Sequence, residues 1–265
     1  MKEADIHTVA GATETSTQKS GVIAMLLSVG AGASGSLDPF DAHYKQHNIN
    51  LADGLEGLSG WVETLPKDAD LVSPIRIFED EDYVFTHSTF VFGELLVGFD
   101  VYRFENGKIV EHWDNQQPMA QANASGHTMI DGPTRSTGGN NRTNKTLVRA
   151  FVDEFFVQGR MDKVAGYFDG DHYIQHNPLV ADGLSSLRAA VLTAAKAGVV
   201  TKYDTIHKVL GEGDMVLVLG EGRFAGMPTA FYDLFRVENG KIAEHWDVLA
   251  TIPDRSAWKN LNGKF

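Results

Sequence analysis

Residues 105–114 read ENGKIVEHWD and residues 238–247 read ENGKIAEHWD, the same ten residues with one change. HYKQHNINLADGL at 43–55 matches HYIQHNPLVADGL at 172–184 in the same way. His47 to His176 and Asp53 to Asp182 are offset by 129 positions, whereas Asp100 to Asp233, His112 to His245 and Asp114 to Asp247 are offset by 133, so the second copy gains four residues in between. A unit of more than a hundred residues is too long for a solenoid repeat and has the size of a whole domain. Two homologous domains, 1–118 and 146–265, are expected, joined by a linker at 119–145 where Gly, Ser, Thr and Asn crowd together. Its three sequons, at Asn123, Asn141 and Asn144, are read as a result of that composition.

The second copy shows the element order more clearly. TLVRAFVDEFFVQ places Leu147, Phe151 and Phe155 four apart and stops at Gly159, which predicts a core-facing helix. A short helix at 161–168, a brief strand at HYIQHN and a helix from Leu184 to about Lys196 follow. Four alternating runs come last: KYDTIHKVL, MVLVLGEGRF, TAFYDLFRV and KIAEHWDVLAT. Asn239-Gly240 and Asn106-Gly107 predict type I′ hairpins. The fold class is α+β, helices first and then a meandering antiparallel sheet.

With 35 acidic against 23 scattered basic residues, the chain lacks the footprint that nucleic acid requires. The absence of cysteine removes disulfides, thiolate catalysis and zinc-thiolate sites. The apolar run at 20–36, SGVIAMLLSVGAGASGS, is too short to span a membrane, and Glu3, Asp5 and Glu14 precede it in place of a basic segment. It is expected to be a first helix and its exit loop, in a cytoplasmic protein, with secretion the lesser alternative.

Strand alternation puts His112 and Asp114 on one face and Glu111 and Trp113 on the other, and likewise separates His245 and Asp247 from Glu244 and Trp246. The hairpin partner contributes Asp100 or Asp233 among Phe, Val, Tyr and Leu. Such a carboxylate either caps a buried hydrogen-bond network or has a raised pKa and moves protons. Asp114 and Asp247 would brace the histidines, and the tryptophans would pack on helices or on the opposing domain. Aligning DYVFTHSTF at 82–90 with DMVLVLGEG at 214–222 sets His87 opposite Leu219 and Thr89 opposite Glu221. That swap suggests two pockets of similar shape and different proton chemistry; a solvent-facing Glu221, with Gly220 and Gly222 in a bulge, is the alternative. His47 and His176 precede Asn and Asp-Gly turns, where turn or core roles come before binding. No metal spacing, phosphate loop or nucleophile elbow stands out, so neither metal nor cofactor is expected.

At YIQHNPLVADG, YDLFRVENGKIAEHWD and their first-copy counterparts the chain resembles the SnoaL-like group of the nuclear-transport-factor-two-like superfamily. Specifically, it is similar to the predicted SnoaL-like aldol-condensation proteins in a tandem version, from about residue 16 to Phe265, including SGHTMIDGPT and the terminal WKNLNGKF. The resemblance implies two cones, each a curved antiparallel sheet wrapped by helices around an apolar pocket. Polyketide cyclases, ketosteroid isomerases, epoxide hydrolases, dehydratases and binding modules all use that fold, so fold alone does not name a reaction. It further implies a cofactor-independent lyase or isomerase acting on a small apolar carbonyl compound through enolate chemistry. Asp100 and Asp233 would be the general acid/base, and His87, Glu221, His112 and His245 would polarise the carbonyl or shuttle the proton. His47, His176, Tyr102, Phe235, Asp114 and Asp247 would contact substrate. A binding module for a hydrophobic ligand is the alternative. The fused pair would mimic the dimer of related domains, as a monomeric pseudo-dimer or a homodimer, and SVGAGASGS would leave the first cone less closed than the second.

Overall fold

The computed structural model describes residues 16–31, 37–67 and 71–265, so the glycine-rich segment at 32–36 lies outside the described residues. In the first half α1 (Thr17–Gly30), β1 (Phe40–Gln46) and α2 (Gly54–Thr64) precede β2 (Val72–Asp80), β3 (Tyr83–Val91), β4 (Leu95–Glu105) and β5 (Lys108–Pro118). In the second, α3 (Asn141–Val152), β6 (Ile174–Gln175) and α4 (Leu184–Lys196) precede β7 (Thr201–Glu212), β8 (Met215–Phe224), β9 (Met227–Glu238) and β10 (Lys241–Thr251). The sheet orders are β1-β5-β4-β3-β2 and β6-β10-β9-β8-β7, one plan used twice.

Four strands of each sheet form the expected antiparallel meander, but β1 runs parallel to β5 and β6 parallel to β10, so both sheets are mixed. The cause is connectivity: each edge strand leads through a helix to the far edge of its sheet, where the meander begins, and the last strand of the meander returns to lie beside it in the same direction. The hairpins have the left-handed backbone that type I′ turns need, with φ of 51° and 78° at Asn106 and Gly107 and of 50° and 71° at Asn239 and Gly240. Ser16 and Asn140 cap α1 and α3 by accepting the N–H groups of Lys19 and Thr143. α3 runs on into a π-helical turn, Asp153–Val157, whereas the helix expected at 161–168 is only a short 3₁₀ turn, Val164–Tyr167. Gly166 lies inside it, and a glycine there costs about 1 kcal/mol of helix stability.

The two faces of each sheet have different duties. One face, with α1 and α2 or with α3 and α4, closes a cone around an apolar core. The other packs back to back on the opposite sheet, where Phe85, Phe99 and Trp113 meet Leu217, Tyr232 and Trp246. Burying each such side chain contributes about 1.5–3 kcal/mol. Asn115 stitches the two sheets together, its amide donating to Ala230 O at 3.0 Å and Val248 O at 2.9 Å. A cation from each half covers the tryptophan of the other, Arg76 4.5 Å from the Trp246 ring and Lys208 3.9 Å from Trp113.

The segment expected to be a plain linker is packed: Asn123 and Met129 are buried, and Trp246 Nε1 donates to Asp131 O at 3.0 Å. All three sequon amides are engaged in hydrogen bonds, Asn123 with Gln175 O, Asn141 with Asp80 and Asn144 with Gly213 O. No helix among the described residues is long and apolar enough to cross a membrane.

Candidate functional site

The cone-facing residues of β4 and β5 carry the same polar group in both halves. In the first, His112 Nε2 lies 3.0 Å from Asp100 Oδ1 and His112 Nδ1 lies 3.1 Å from Gln46 Oε1. In the second, His245 Nε2 lies 3.0 Å from Asp233 Oδ1 and His245 Nδ1 3.0 Å from Gln175 Oε1. The backbone N–H of Asn48 also donates to Gln46 Oε1, at 2.9 Å, which identifies that atom as the amide oxygen and makes the ring Nδ1 a donor. His112 Nε2 and Asp100 Oδ1 therefore share one proton, as carboxylic acid and imidazole or as carboxylate and imidazolium. The neighbouring aspartates are braced alike: Asn48 Nδ2 donates to Asp114 Oδ2 at 2.5 Å and Asn177 Nδ2 to Asp247 Oδ2 at 2.7 Å.

The two cones differ in what surrounds this group. In the first, a cavity of about 240 Å³ is lined by Met25, Trp61 and Phe90 together with Asp100, His112 and Asp114. Burial, reinforced by nearby Asp114, raises the Asp100 pKa against the opposing hydrogen bond from His112. Its second oxygen has only a long contact, 3.4 Å, from Thr86 Oγ1. Two donors on the same wall, Tyr44 Oη and Gln46 Nε2, are buried with no hydrogen-bond partner among the described residues. Burial and then the charges of Asp114, Asp100 and Asp53 push the Tyr44 phenol well up, so it stays a donor.

In the second cone the corresponding space is filled by rings. Tyr203 stacks on Phe231 at 4.2 Å and on Phe156 at 4.6 Å and donates its hydroxyl to Asp233 Oδ2 at 2.6 Å. Gly220 and Gly222 admit it, since a Cβ on Gly220 would lie 2.8 Å from its ring. By strand register the first half puts Val72 opposite Phe90 where the second puts Tyr203 opposite Gly222. Gln175 Nε2 is satisfied by Tyr173 Oη at 3.3 Å, and the carboxyl raised by burial is Asp247, beside Asp233. A larger polar depression of about 380 Å³ lies between Asp171, Arg236 and Glu238, and neither Asp233 nor His245 lines it. Tyr203→Val is expected to cost about 2–4 kcal/mol in thermal unfolding. It should also open a cavity in the second cone, seen in a crystal structure of the variant.

Asp100, His112, Asp114 and Tyr102 thus line the first cavity, while Asp233, His245 and Asp247, with Phe235 stacked on His245, form the closed counterpart. His87 and Glu221 are on the opposite faces of their strands and reach neither cone. His87 lies in the contact between halves, where its Nδ1 accepts from Arg76 Nη1 at 3.0 Å. Arg76 and His87 are paired across β2 and β3 as Lys208 and Leu219 are across β7 and β8, so the His-to-Leu swap follows the Arg-to-Lys swap and not the pockets. Glu221 is half-exposed and holds His207 at 3.0 Å. His47 and His176 also turn away from the cones, stacking on Trp113 at 4.8 Å and Trp246 at 4.5 Å and meeting Glu111 and Glu244 at 2.8 Å.

Tyr44, Gln46 and Tyr203 were not read from the sequence, although HYKQHN and HYIQHN both place Tyr and Gln two residues apart on one strand face. Among the described residues, three groups gather His and Asp ligand atoms within 4.8 Å of one another, close enough to hold a metal ion: Asp100-His112-Asp114, Asp233-His245-Asp247 and His127-Asp131-His176. In the first two an ion would have to replace the histidine–aspartate hydrogen bond.

Among solved structures, the chain is similar to an NTF-2 like protein of unknown function from Burkholderia xenovorans LB400, with 16% identity over 40% of this chain and 88% of that one and a TM-score of 0.36. It is similar to TsrD from Streptomyces laurentii, with 23% identity, 42% and 90% covered and a TM-score of 0.33. It is also similar to a SnoaL-like polyketide cyclase from Agrobacterium tumefaciens str. C58, with 15% identity, 40% and 91% covered and a TM-score of 0.33. No curated protein matches. The model of the SnoaL-like domain matches residues 148–245, from the core of α3 to the histidine of the second dyad, so that stretch of the chain is a SnoaL-like domain.

Proposed function

We propose that the first cone is a cofactor-independent site for proton transfer at a carbon next to a carbonyl, in a small and largely apolar molecule. The observation that carries this reading is the Asp100–His112 dyad and the two unpartnered donors, Tyr44 Oη and Gln46 Nε2, on one cavity wall. An unpaired buried donor costs about 1–3 kcal/mol, which a ligand oxygen would recover. Asp100, as carboxylate, takes the proton through its loosely held oxygen. The C–H electron pair becomes the C=C bond, and the carbonyl π pair moves onto oxygen, where Tyr44 and Gln46 stabilise the enolate. Proton return to the same carbon gives exchange and return elsewhere gives isomerisation; attack of the enolate carbon on a second carbonyl of the molecule closes a ring. The second half we infer to be a duplicated copy whose filled cone no longer takes a ligand and whose sheet does the work of a dimer partner.

The test is α-proton exchange of a small bicyclic ketone such as 2-tetralone in D2O, followed by proton NMR. Saturable loss of the α-proton signals above the buffer rate is expected. A panel of ketones that bind in the cavity and never exchange would make the protein a binding module instead.

A further inference from the structure

The end of the chain crosses from the second half to the rim of the first cone. Asn260 Nδ2 donates to Asn48 O at 2.8 Å and Leu51 O at 2.9 Å, and Asn262 Nδ2 donates to Gln46 O at 2.9 Å and Asp53 Oδ1 at 2.6 Å. Gly263 O meets His47 Nδ1 at 3.0 Å, and Phe265 stacks on His207 at 4.1 Å. The segment leaving the first half makes the reciprocal crossing. Asn123 Nδ2 donates to Gln175 O at 2.5 Å and Val180 O at 2.9 Å, and Thr128 O meets His176 Nδ1 at 2.7 Å. The bonds of Asn123 and Asn260 to the equivalent Val180 O and Leu51 O, and the turn in which each amide oxygen accepts the N–H two residues on, equate Asn260 with Asn123, so Gly263 corresponds to Gly126 and Lys264 to His127.

That correspondence marks a difference. His127 meets Asp182 at 3.2 Å and Asp131 at 3.6 Å and makes no bond to Asp247. Lys264 instead turns Nζ to Asp114, donating to its backbone O at 2.5 Å and lying 3.5 Å from Oδ1, with 11% of the lysine side chain exposed. Asp114 lines the cavity and is the cross-strand partner of Asp100. Among the described residues, those lining the cavity include no Lys or Arg. In the filled cone Asp247 Oδ1 has no hydrogen-bond partner among the described residues. Of the two cones, the one with the cavity is thus the one whose second aspartate meets a lysine from the crossing segment.

We propose that this C-terminal strap completes the first cone's site, with Lys264 as its positioning residue: it holds Asp114 as the fixed carboxylate, so that Asp100 alone exchanges the proton. The proposal rests on the proton-transfer reading of that cone. Two adjacent carboxylates in an apolar site resist being ionised together unless a cation compensates, and a lysine largely withdrawn from water gains most where such an anion is fixed. The other titratable groups facing the pair are His112 on β5, Tyr44 on β1, Tyr102 on β4, Asp53 before α2 and, from the opposing sheet, Tyr232 on β9.

The experiment is an NMR titration of full-length protein carrying [13Cγ]-aspartate, with the Asp100 signal identified by its loss in Asp100→Asn and ketone exchange followed over the same pH range. Lys264→Met should move the Asp100 titration, and the acid limb of exchange with it, upward by about one pH unit or more. Lys264→Arg should restore both, and Lys264→Gln should reproduce the shift if the methionine variant folds poorly. Exchange lost equally at every pH with the Asp100 titration unmoved would make the strap merely structural and overturn the proposal, as would no change in either. Should Asp100→Asn leave exchange intact while Lys264→Met still shifts the titration, the proton-transfer reading falls and the coupling of strap to carboxylate pair stands.

Discussion

Asp100→Asn is expected to reduce ketone exchange by about 10²–10⁴-fold, the usual worth of a positioned general base, while leaving the fold at least as stable at neutral pH. The substitution preserves shape. The new amide donates to Nε2 of neutral His112, whose Nδ1 proton stays on Gln46 Oε1, and its oxygen still accepts from Thr86. What it removes is the ability to take a proton.

The stability half of this expectation follows from the sign of the shift. Asp100 has its pKa raised in the folded protein, chiefly by burial, so between the unfolded and folded values the native state binds the extra proton. The stability linked to that proton is fully present below the ordinary carboxylate range and is lost as pH rises through the folded value. At neutral pH the wild-type carboxylate is a liability that asparagine lacks, so a thermal melt at pH 7 should show an equal or higher Tm for the variant, and the difference should close on acidification. A Tm well below wild type would mean that Asp100 is a structural brace. Unchanged exchange would remove it from the chemistry.

The part of this site that was legible in the sequence is the part written in strand alternation. His112 and Asp114 fall on one face and Trp113 on the other because the period is two, and the repeated EHWD carries that arrangement into both halves. Missing were effects that depend on contacts between strands distant in sequence. Gly220 and Gly222 look like a bulge along β8, and nothing local shows that their lack of a Cβ is what admits Tyr203 from β7. His87 looks like a second proton carrier because its partner, Arg76, is eleven residues upstream on a neighbouring strand. The parallel edge strands escaped for a related reason: HYKQHN and HYIQHN state that a strand is present, not which neighbour it joins.

Arg76→Met is expected to cost about 3–5 kcal/mol, the largest loss of stability for any change outside the cones. Arg76 is 1% exposed. Its Nε donates to Pro133 O at 2.8 Å, Nη2 donates to Asp131 O, and Nη1 donates to His87 Nδ1. Burial pulls its pKa down to about 10, against Glu244 and Asp131 which push it up, so the guanidinium stays charged at neutral pH. Methionine fills the volume but removes the donor to Pro133 O and to the buried His87 Nδ1 and leaves Asp131 O with Trp246 Nε1 alone. At roughly 2–4 °C per kcal/mol for a chain approaching this length, Tm should fall on the order of 10 °C. Lys208→Met, at the equivalent and more exposed position over Trp113, should cost far less. The sharper test copies one half into the other. Arg76→Lys and His87→Leu should each destabilise, the first by leaving His87 Nδ1 without its donor and the second by leaving an Arg76 N–H unpaired. Together they reproduce the Lys208–Leu219 pair. Burial holds the His87 pKa well below its ordinary value, so the stability His87 supports is fully present above the usual histidine range and is lost as pH falls from there through the depressed folded value; that acid sensitivity should vanish in the double variant. A coupling energy of about 1 kcal/mol or more in the double-mutant cycle is expected, and simple additivity would show that the two positions do not work as a pair.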